Sequence, residues 1–201
     1  MGIKERRERE RQITKQGILT ASLEIARQSG WSAVTIRKVG ESIEYSAPMV
    51  YQYFASKEEI LLELLRIGFD ELGQAMQEAI ASTEDKTERI LRAADAYWQF
   101  AQNNPERYQL MHGLGGVTLA PEAFAASIKQ TCELAENILV DWAQAKGVTL
   151  EDPLGAAEIV WSLLHGLVSV SLAERVQGGK DRARNLVQRS IQDLLKAWSI
   201  P

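Results

Sequence analysis

The chain has 201 residues, of which 45% are hydrophobic and 25% are charged, and this balance is typical of globular proteins rather than disordered or fibrous ones. Its net charge of −4 excludes a protein that is basic over its whole surface. Residues 1–57 hold ten Lys/Arg and six Asp/Glu, whereas residues 58–201 hold thirteen and twenty-one. A basic end on an acidic body is expected where only that end meets phosphate.

Cys132 is the only cysteine, which excludes an internal disulfide and favours a reducing compartment. The N-terminus alternates Arg and Glu and contains no apolar signal-peptide segment. The longest nearly apolar run, at 159–173, has 15 residues and is shorter than the ~20 needed to span a bilayer. We therefore expect a cytoplasmic protein without a membrane partner, in which this run forms a buried or interfacial helix.

Helical periodicity runs along the chain and predicts an all-α fold. A charged arm at residues 1–11 is expected to fray, and the helix that follows it is expected to end at Gly30. Thr35 can cap a second helix, and Ser46 can cap a third. Ser56 begins a capping-box pattern at the start of a long fourth helix.

Glycines and prolines separate the later elements. The pattern predicts helices at about 87–103, 105–112, 121–146, 153–176 and 181–198, with a glycine-containing loop at 113–121. No flexible linker is present. The fourth helix is therefore expected to join an N-terminal domain at 1–57 rigidly to a C-terminal domain at 58–201.

Residues 35–54 have the pattern of a helix-turn-helix, with two short helices separated by a tight turn. In the second of these helices, Val50 and Phe54 are four residues apart, so they share one face and are expected to pack on the preceding helices. Polar and aromatic side chains occupy the opposite face. This arrangement suits a recognition helix that enters the major groove of DNA.

Three features carry a resemblance to a known family: Thr35 opening the second helix, the run Tyr51-Gln52-Tyr53-Phe54, and Ser56-Lys57-Glu58-Glu59 opening the fourth helix. With them, residues of about 12–72 resemble the DNA-binding domain of the tetracycline-repressor (TetR) family of bacterial regulators. The resemblance implies an N-terminal three-helix DNA-binding domain on an all-α body that binds a ligand and dimerises. Trp161, His165 and Gly166 also resemble a Trp…His-Gly signature of one subgroup of its C-terminal domains.

The resemblance implies which residues contact DNA. Thr35, Tyr51 and Lys57 are expected to bind phosphates, and Arg37 to bind a guanine edge or a phosphate. Ser46 caps the recognition helix, whose N-terminus attracts phosphate. The base-facing or groove-lining residues are expected to be Ala47, Pro48, Met49, Gln52 and Tyr53.

Glu44 departs from the family pattern, which usually has glycine in the turn. A left-handed backbone at this position costs a residue other than glycine ~1 kcal/mol. The carboxylate of Glu44 also places a negative charge near DNA.

The C-terminal aromatic residues fit two interpretations. Aromatic residues at helical spacing are most often core, but this set could also enclose a largely apolar ligand with one or two polar groups. The loop at 113–120 is then a candidate lid. The expected lining residues are Trp98, Tyr108, Met111, Phe124, Trp161 and His165.

The resemblance also implies a homodimer formed by the last two helices, although the same apolar stripes suit an internal helical hairpin. Small residues on the first of these helices allow close approach of a partner, and an apolar stripe on the second is available for one. The expected interface residues are Gly166, Ser169, Ala173, Val187, Ile191 and Leu194.

The function expected from these residues is a homodimeric repressor that binds a pseudo-palindromic operator in double-stranded DNA and is released by a small, largely apolar effector. No HExxH, paired CxxC or P-loop pattern is present, so we expect neither an enzyme nor a cofactor. Two alternatives stay open. One is a helical protein–protein adaptor that has lost DNA binding, and the other is a metal-responsive regulator using His112, His165 and Cys132.

Overall fold

The computed structural model describes residues 2–117, 119 and 121–200, without the side chains of residues 3, 121–124, 126 and 127. Every regular element in this part of the chain is helical, as predicted. Two short 3₁₀ turns accompany the α-helices, at Trp31–Ala33 and Leu114–Gly116. The α-helices are α1 (Ile3–Ser29), α2 (Ile36–Ser42), α3 (Ala47–Val50), α4 (Lys57–Ala81), α5 (Lys86–Asn103), α6 (Pro105–Met111), α7 (Pro121–Lys146), α8 (Pro153–Leu172) and α9 (Gly179–Trp198).

The charged arm is helical, which differs from the frayed arm that the sequence predicts. α1 begins at Ile3, and side chains one turn apart hold its first turns together. Arg6 Nε donates to Glu10 Oε1 at 2.9 Å, and Gln12 Nε2 donates to Glu8 Oε1 at 2.9 Å. Such pairs four residues apart each stabilise a helix by about 0.2–0.5 kcal/mol, and α1 continues directly from them.

α8 ends at Leu172, four residues before the predicted end. Glu174 adopts a left-handed conformation, with φ of 56°. The amide of Arg175 donates to the carbonyl of Val170 at 2.9 Å, five residues earlier, and so closes the helix end. This is the Schellman ending, which satisfies the last carbonyls of the helix.

The first of two compact units consists of residues 1–68 and 106–125. Its core joins apolar side chains of α1, α2, α3, the first half of α4, and Leu110 of α6. Trp31 is 1% exposed, and its Nε1 donates to the carbonyl of Glu106 at 3.1 Å. The unit therefore extends beyond the domain boundary expected after residue 57, because α4 and α6 supply part of its core.

The second unit consists of residues 69–105 and 126–201, in which α5, α8 and α9 pack against one another. Arg184 donates to both carboxylate oxygens of Asp95, at 2.7 and 2.8 Å. Gln188 Nε2 donates to the carbonyl of Leu91 at 3.2 Å. Gln188 follows Arg184 by four residues in α9, whereas its partner Leu91 precedes Asp95 by four residues in α5. The two helices therefore run antiparallel.

α8 has an apolar face that its own unit leaves exposed. Ile159 and Val170 are exposed on the same side of the helix as the exposed small residues Gly166 and Ala173. Leu154 and Trp161 are also exposed, about 150° around the helix from that side. Glu158 is the one Asp, Glu, Lys or Arg of the helix. By length and composition alone, α8 is also the single helix in the described residues that could cross a bilayer. Core helices of soluble proteins meet the same two criteria.

Candidate nucleic-acid interface

α2 begins with the cap that the sequence predicts. Thr35 Oγ1 accepts a hydrogen bond from the amide of Lys38 at 3.2 Å. Because a hydroxyl can donate while it accepts, the hydrogen of Thr35 is available to a phosphate oxygen. Arg37 is exposed, and its Nε lies 2.8 Å from Glu41 Oε1, a hydrogen bond that raises the pKa of Arg37. Such an exposed pair contributes little stability, so Arg37 can exchange Glu41 for DNA.

A tight turn follows α2 and returns the chain against it. Glu44 has φ of 60°, the left-handed conformation expected from its position. The amide of Tyr45 donates to the carbonyl of Gly40 at 2.8 Å. A Cβ on Gly40 would lie 2.7 Å from the carbonyl oxygen of Tyr45, so this approach requires glycine. These contacts define the angle at which α3 leaves the turn.

The regular part of the recognition helix is shorter than predicted, because α3 ends at Val50 rather than near Phe54. Beyond it, the amides of Gln52 and Tyr53 donate to carbonyls three residues earlier, at 3.1 and 2.9 Å. The winding therefore tightens into a 3₁₀-type turn, as is common at helix ends. Ser46 occupies the cap position, but its side chain makes no capping hydrogen bond, contrary to expectation.

Val50 and Phe54 are buried, as predicted, and the expected DNA-facing residues lie on the other side of this segment. Tyr51 is 55% exposed, although a lone aromatic side chain of this size is usually more covered. Ser46, Pro48 and Gln52 are also exposed, while Ala47, Met49 and Tyr53 are half-buried. We call Ser46–Met49 with Tyr51–Tyr53 the recognition surface.

Lys57, an expected phosphate contact, is already bonded within the unit. Its Nζ donates to the carbonyl of Trp31 at 3.0 Å, and burial lowers the pKa of Lys57. An ammonium group has three donors, so two stay available for a phosphate. Lys57 thus fastens the start of α4 to the 3₁₀ turn at Trp31–Ala33 in addition to its expected role.

Two cations of α1 lie over aromatic residues at the end of this segment: Phe54 in the core and Tyr53 on the recognition surface. Lys15 Nζ lies 5.4 Å from the centre of the Phe54 ring and 2.8 Å from Glu63 Oε1. Arg11 Cζ lies 5.5 Å from the centre of the Tyr53 ring. Both distances suit cation–π contacts. The contact of Arg11 was not expected from the sequence, although the helical repeat that leads back from the buried Ile18 through residues 15 and 11 could have identified it.

The expected ligand-lining residues are divided between the units. Tyr108 and Met111 are buried in the first unit, whereas Trp98, Trp161 and His165 belong to the second. The side chain of Phe124, like Thr118 and Ala120 of the expected lid, lies outside the described residues. Trp161 and His165 stack with ring centres 5.4 Å apart on α8, and burial lowers the pKa of His165.

One further polar residue of the second unit was not predicted from the sequence. Both amide atoms of Gln102 are buried and have no hydrogen-bond partner among the described residues. Leaving a buried polar group unpaired costs about 1–3 kcal/mol. No periodic pattern marks such a residue, because its burial depends on helices distant in sequence.

The expected dimer residues also differ in exposure. Gly166 and Ala173 are exposed, and Ser169 and Leu194 are half-buried. Val187 and Ile191 are fully buried within their own unit, where α9 packs on α5 and α8. The stripe of α9 thus belongs to the internal core, which corrects the expectation that these two residues contact a partner. The described residues contain no group of three or more His, Cys, Asp or Glu side chains arranged to hold a metal ion.

Sequence models of known families match most of the chain. The model for the C-terminal domain of tetracyclin-repressor-like proteins matches residues 90–194, and that for bacterial regulatory proteins of the tetR family matches residues 18–64. The second match includes the helix-turn-helix described above.

Individual relatives agree with these matches. The transcriptional activator FasR of Mycolicibacterium smegmatis is 28% identical over 124 residues, which are 62% of this chain and 56% of FasR. The transcriptional regulator YjdC of Escherichia coli is 23% identical over 179 residues, or 88% of this chain and 92% of YjdC. A solved structure of a protein of unknown function from Rhodococcus sp. RHA1 has a TM-score of 0.81 at 17% identity, covering 92% of this chain and 95% of that one.

The two family models, the helix-turn-helix and the all-helical body lead to one assignment. Members of the family are regulators rather than enzymes. The chain therefore belongs to the tetR family of bacterial regulatory proteins and is a helix-turn-helix transcriptional regulator.

Proposed function

We propose that this regulator binds a pseudo-palindromic operator in double-stranded DNA as a homodimer and represses transcription until a small, largely apolar effector releases it. The observation that carries the proposal is the exposed recognition surface held above a buried Val50 and Phe54. The proposed DNA contacts are Thr35, Arg37, Ser46, Ala47, Pro48, Met49, Tyr51, Gln52, Tyr53 and Lys57.

The proposed contacts divide by chemistry. Thr35, Tyr51 and Lys57 carry donors suited to phosphate oxygens, and these contacts position the protein without reading sequence. Gln52 presents an amide that can pair with both polar groups of an adenine edge in the major groove. The methyl groups of Ala47 and Met49 suit the methyl group of thymine.

The exposed face of α8 supports the homodimer. One recognition helix contacts only a few base pairs, so a dimer that binds two half-sites is the usual route to a specific operator. Gly166 and Ala173 leave room for a partner helix, and Ile159 and Val170 offer apolar surface that solvent otherwise meets. We place the partner on this face and exclude Val187 and Ile191 from direct contact.

The unpaired amide of Gln102 supports an effector that is apolar but carries a polar group. A ligand with a donor and an acceptor offsets the desolvation cost of both amide atoms. The relative FasR is named an activator, so the direction of regulation is a separate part of the proposal. As a DNA-binding regulator, the protein is expected to act in the cytoplasm.

The test of DNA binding is selection from a library of random duplexes by the purified protein. We expect an inverted repeat, bound with an affinity that falls steeply as salt rises, because each phosphate contact releases counterions. Gln52→Ala should cost about 1–3 kcal/mol in each half-site and relax preference at one base pair there. Gln16→Ala, at an exposed glutamine of α1, is the matched control and should leave the preference unchanged.

Failure to enrich any duplex contradicts the proposal and favours the adaptor alternative. Enrichment of a single half-site without a repeat contradicts the dimer part alone. For the effector, small aromatic and acyl compounds are added to the same binding assay, and a broad panel that leaves the affinity unchanged contradicts that part. Reporter transcription with and without the protein decides between repression and activation.

A further inference from the structure

The first turns of α1 carry a basic stripe on the side of the helix that leads to the recognition surface. Ser22 and Ile18 are fully buried on this side, and Lys15 follows over the Phe54 ring. At 3.6 residues per turn, the same side continues through residues 11, 7 and 4. These positions hold Arg11, Arg7 and Lys4, which are exposed.

The arginines of this stripe form no ion pair among the described residues, whereas the neighbouring Arg6 does. Arg6 lies about 140° around the helix from Arg11 and is paired with Glu10 at 2.9 Å. No hydrogen bond or ion pair among the described residues involves the side chain of Arg7 or Arg11, and Arg11 lies 5.5 Å from the centre of the Tyr53 ring. Glu8 borders the stripe, with its carboxylate accepting a hydrogen bond from Gln12 at 2.9 Å.

The contact between Arg11 and Tyr53 connects this stripe to the recognition surface. From Arg11 back to Ile3, α1 extends beyond that contact by about 12 Å, at 1.5 Å per residue. No ion pair among the described residues accounts for three exposed cations in line on this side. Burial of Arg11 under a phosphate would keep its charge, because an arginine stays protonated.

We propose that the N-terminal turns of α1 form a second DNA contact, in which Arg7 and Arg11 bind backbone phosphates beside the bases that the recognition surface meets. Lys4 adds a weaker contact at the end of the helix. The stripe adds affinity without sequence preference, because phosphates carry no base information. This inference rests on the proposed DNA binding and extends it to a segment to which no DNA contact was assigned.

The experiment measures affinity for the selected duplex by fluorescence anisotropy across a series of salt concentrations. Each lost phosphate contact lowers the slope of log affinity against log salt by about 0.9. Because the proposed dimer carries two copies of each residue, Arg7→Ala should lower the slope by about two, and the double variant with Arg11→Ala by about four. At about 0.1 M salt, this corresponds to roughly eightfold weaker binding per contact.

Arg6→Ala is the matched control, because it removes the same charge from a neighbouring side chain that lies about 100° around the helix from Arg7 and is paired with Glu10. We expect its slope to equal that of the unaltered protein. Arg7→Ala separates phosphate binding from support of Tyr53, since Arg7 does not contact that ring. Alanine is the best helix former, so circular dichroism should show unchanged helix content in all variants. Selection with the double variant should recover the same half-site sequence.

Three results would overturn the inference. The first is an unchanged slope in the double variant, with tight binding by the unaltered protein; the proposed function then survives. The second is an equal loss in Arg6→Ala, which indicates a general charge effect. The third is the absence of duplex binding by the unaltered protein at any salt concentration, which overturns the proposed function as well.

Discussion

Glu44 and Glu174 are the two described residues other than glycine with positive φ, at 60° and 56°. A Cβ in this conformation lies close to the following carbonyl oxygen, which costs roughly 1–2 kcal/mol. Glu44 lies in the turn before the recognition surface, whereas Glu174 follows α8 in the second unit. Both residues therefore carry the same left-handed backbone strain, but only Glu44 lies beside the proposed DNA contacts.

Glu44→Gly should raise the free energy of unfolding by about 0.5–1 kcal/mol. The relief of strain exceeds the entropy that glycine adds to the unfolded chain. The substitution also removes a negative charge beside the DNA contacts, so affinity for the selected duplex should rise. Chemical denaturation and anisotropy measure the two effects.

Glu174→Gly is the matched control. It should raise stability by a similar amount and leave duplex affinity unchanged. Equal gains in affinity from both variants would show that stability, rather than the charge of Glu44, governs binding. A loss of stability in Glu44→Gly would show that its side chain contributes more than its backbone costs.

The element that orients the recognition surface is the turn between α2 and α3. Gly40 determines how closely this turn packs against α2. The site has no room for a methyl group, because a Cβ would lie 2.7 Å from a backbone oxygen of Tyr45 and 3.4 Å from Val50. Backbone atoms cannot move aside as the end of a flexible side chain can. The turn itself must shift, and α3 must shift with it.

Gly40→Ala should therefore lower the free energy of unfolding by about 1–3 kcal/mol, a typical cost of overpacking. Duplex affinity should fall as well, because the recognition surface changes its angle. Gly17→Ala is the control within a helix, because a Cβ at this position would meet no atom within 4 Å. It should gain about 0.5–1 kcal/mol from helix propensity and keep its affinity. A Gly40→Ala protein that binds DNA normally would contradict this view of the turn.

At the scale of the whole molecule, the exposed face of α8 is the surface that a partner subunit would cover. Ile159, in the first half of the helix, is 51% exposed, and Val170, near its end, is 41% exposed. An apolar helix face of this kind is unusual on a surface that stays exposed to solvent, and such patches often mark interaction sites. The proposed homodimer would bury this face in a helix–helix interface.

Ile159→Glu should convert the dimer to a monomer at micromolar concentration, since a buried carboxylate without a partner is costly. Affinity for an inverted repeat should fall by about 100-fold or more, because the two DNA-binding domains are no longer linked. Sedimentation velocity and anisotropy measure both. Ile13→Glu, at an isoleucine of α1 that is 64% exposed, is the control and should stay dimeric.

Local features of the sequence determined the helices and most of their ends. Thr35 caps α2, Asp152 caps α8 ahead of Pro153, and α7 runs from Pro121 to Lys146 as predicted. Caps, prolines and left-handed residues act on neighbours within about four positions, so a single sequence contains the information. The alternation of buried and exposed residues around Val50 is equally local. Because this pattern is part of the helix-turn-helix, the resemblance to the tetR family could be inferred from the sequence.

Only the tertiary structure decided which other element each face meets. The apolar stripe of α9 is used within its own unit, the ammonium group of Lys57 bonds to Trp31, and the arm before residue 12 is a helix whose Arg11 lies over Tyr53. Periodicity shows that a face is apolar or charged, but its partner comes from a distant part of the chain. That choice depends on packing of the whole unit, which no window of the sequence contains.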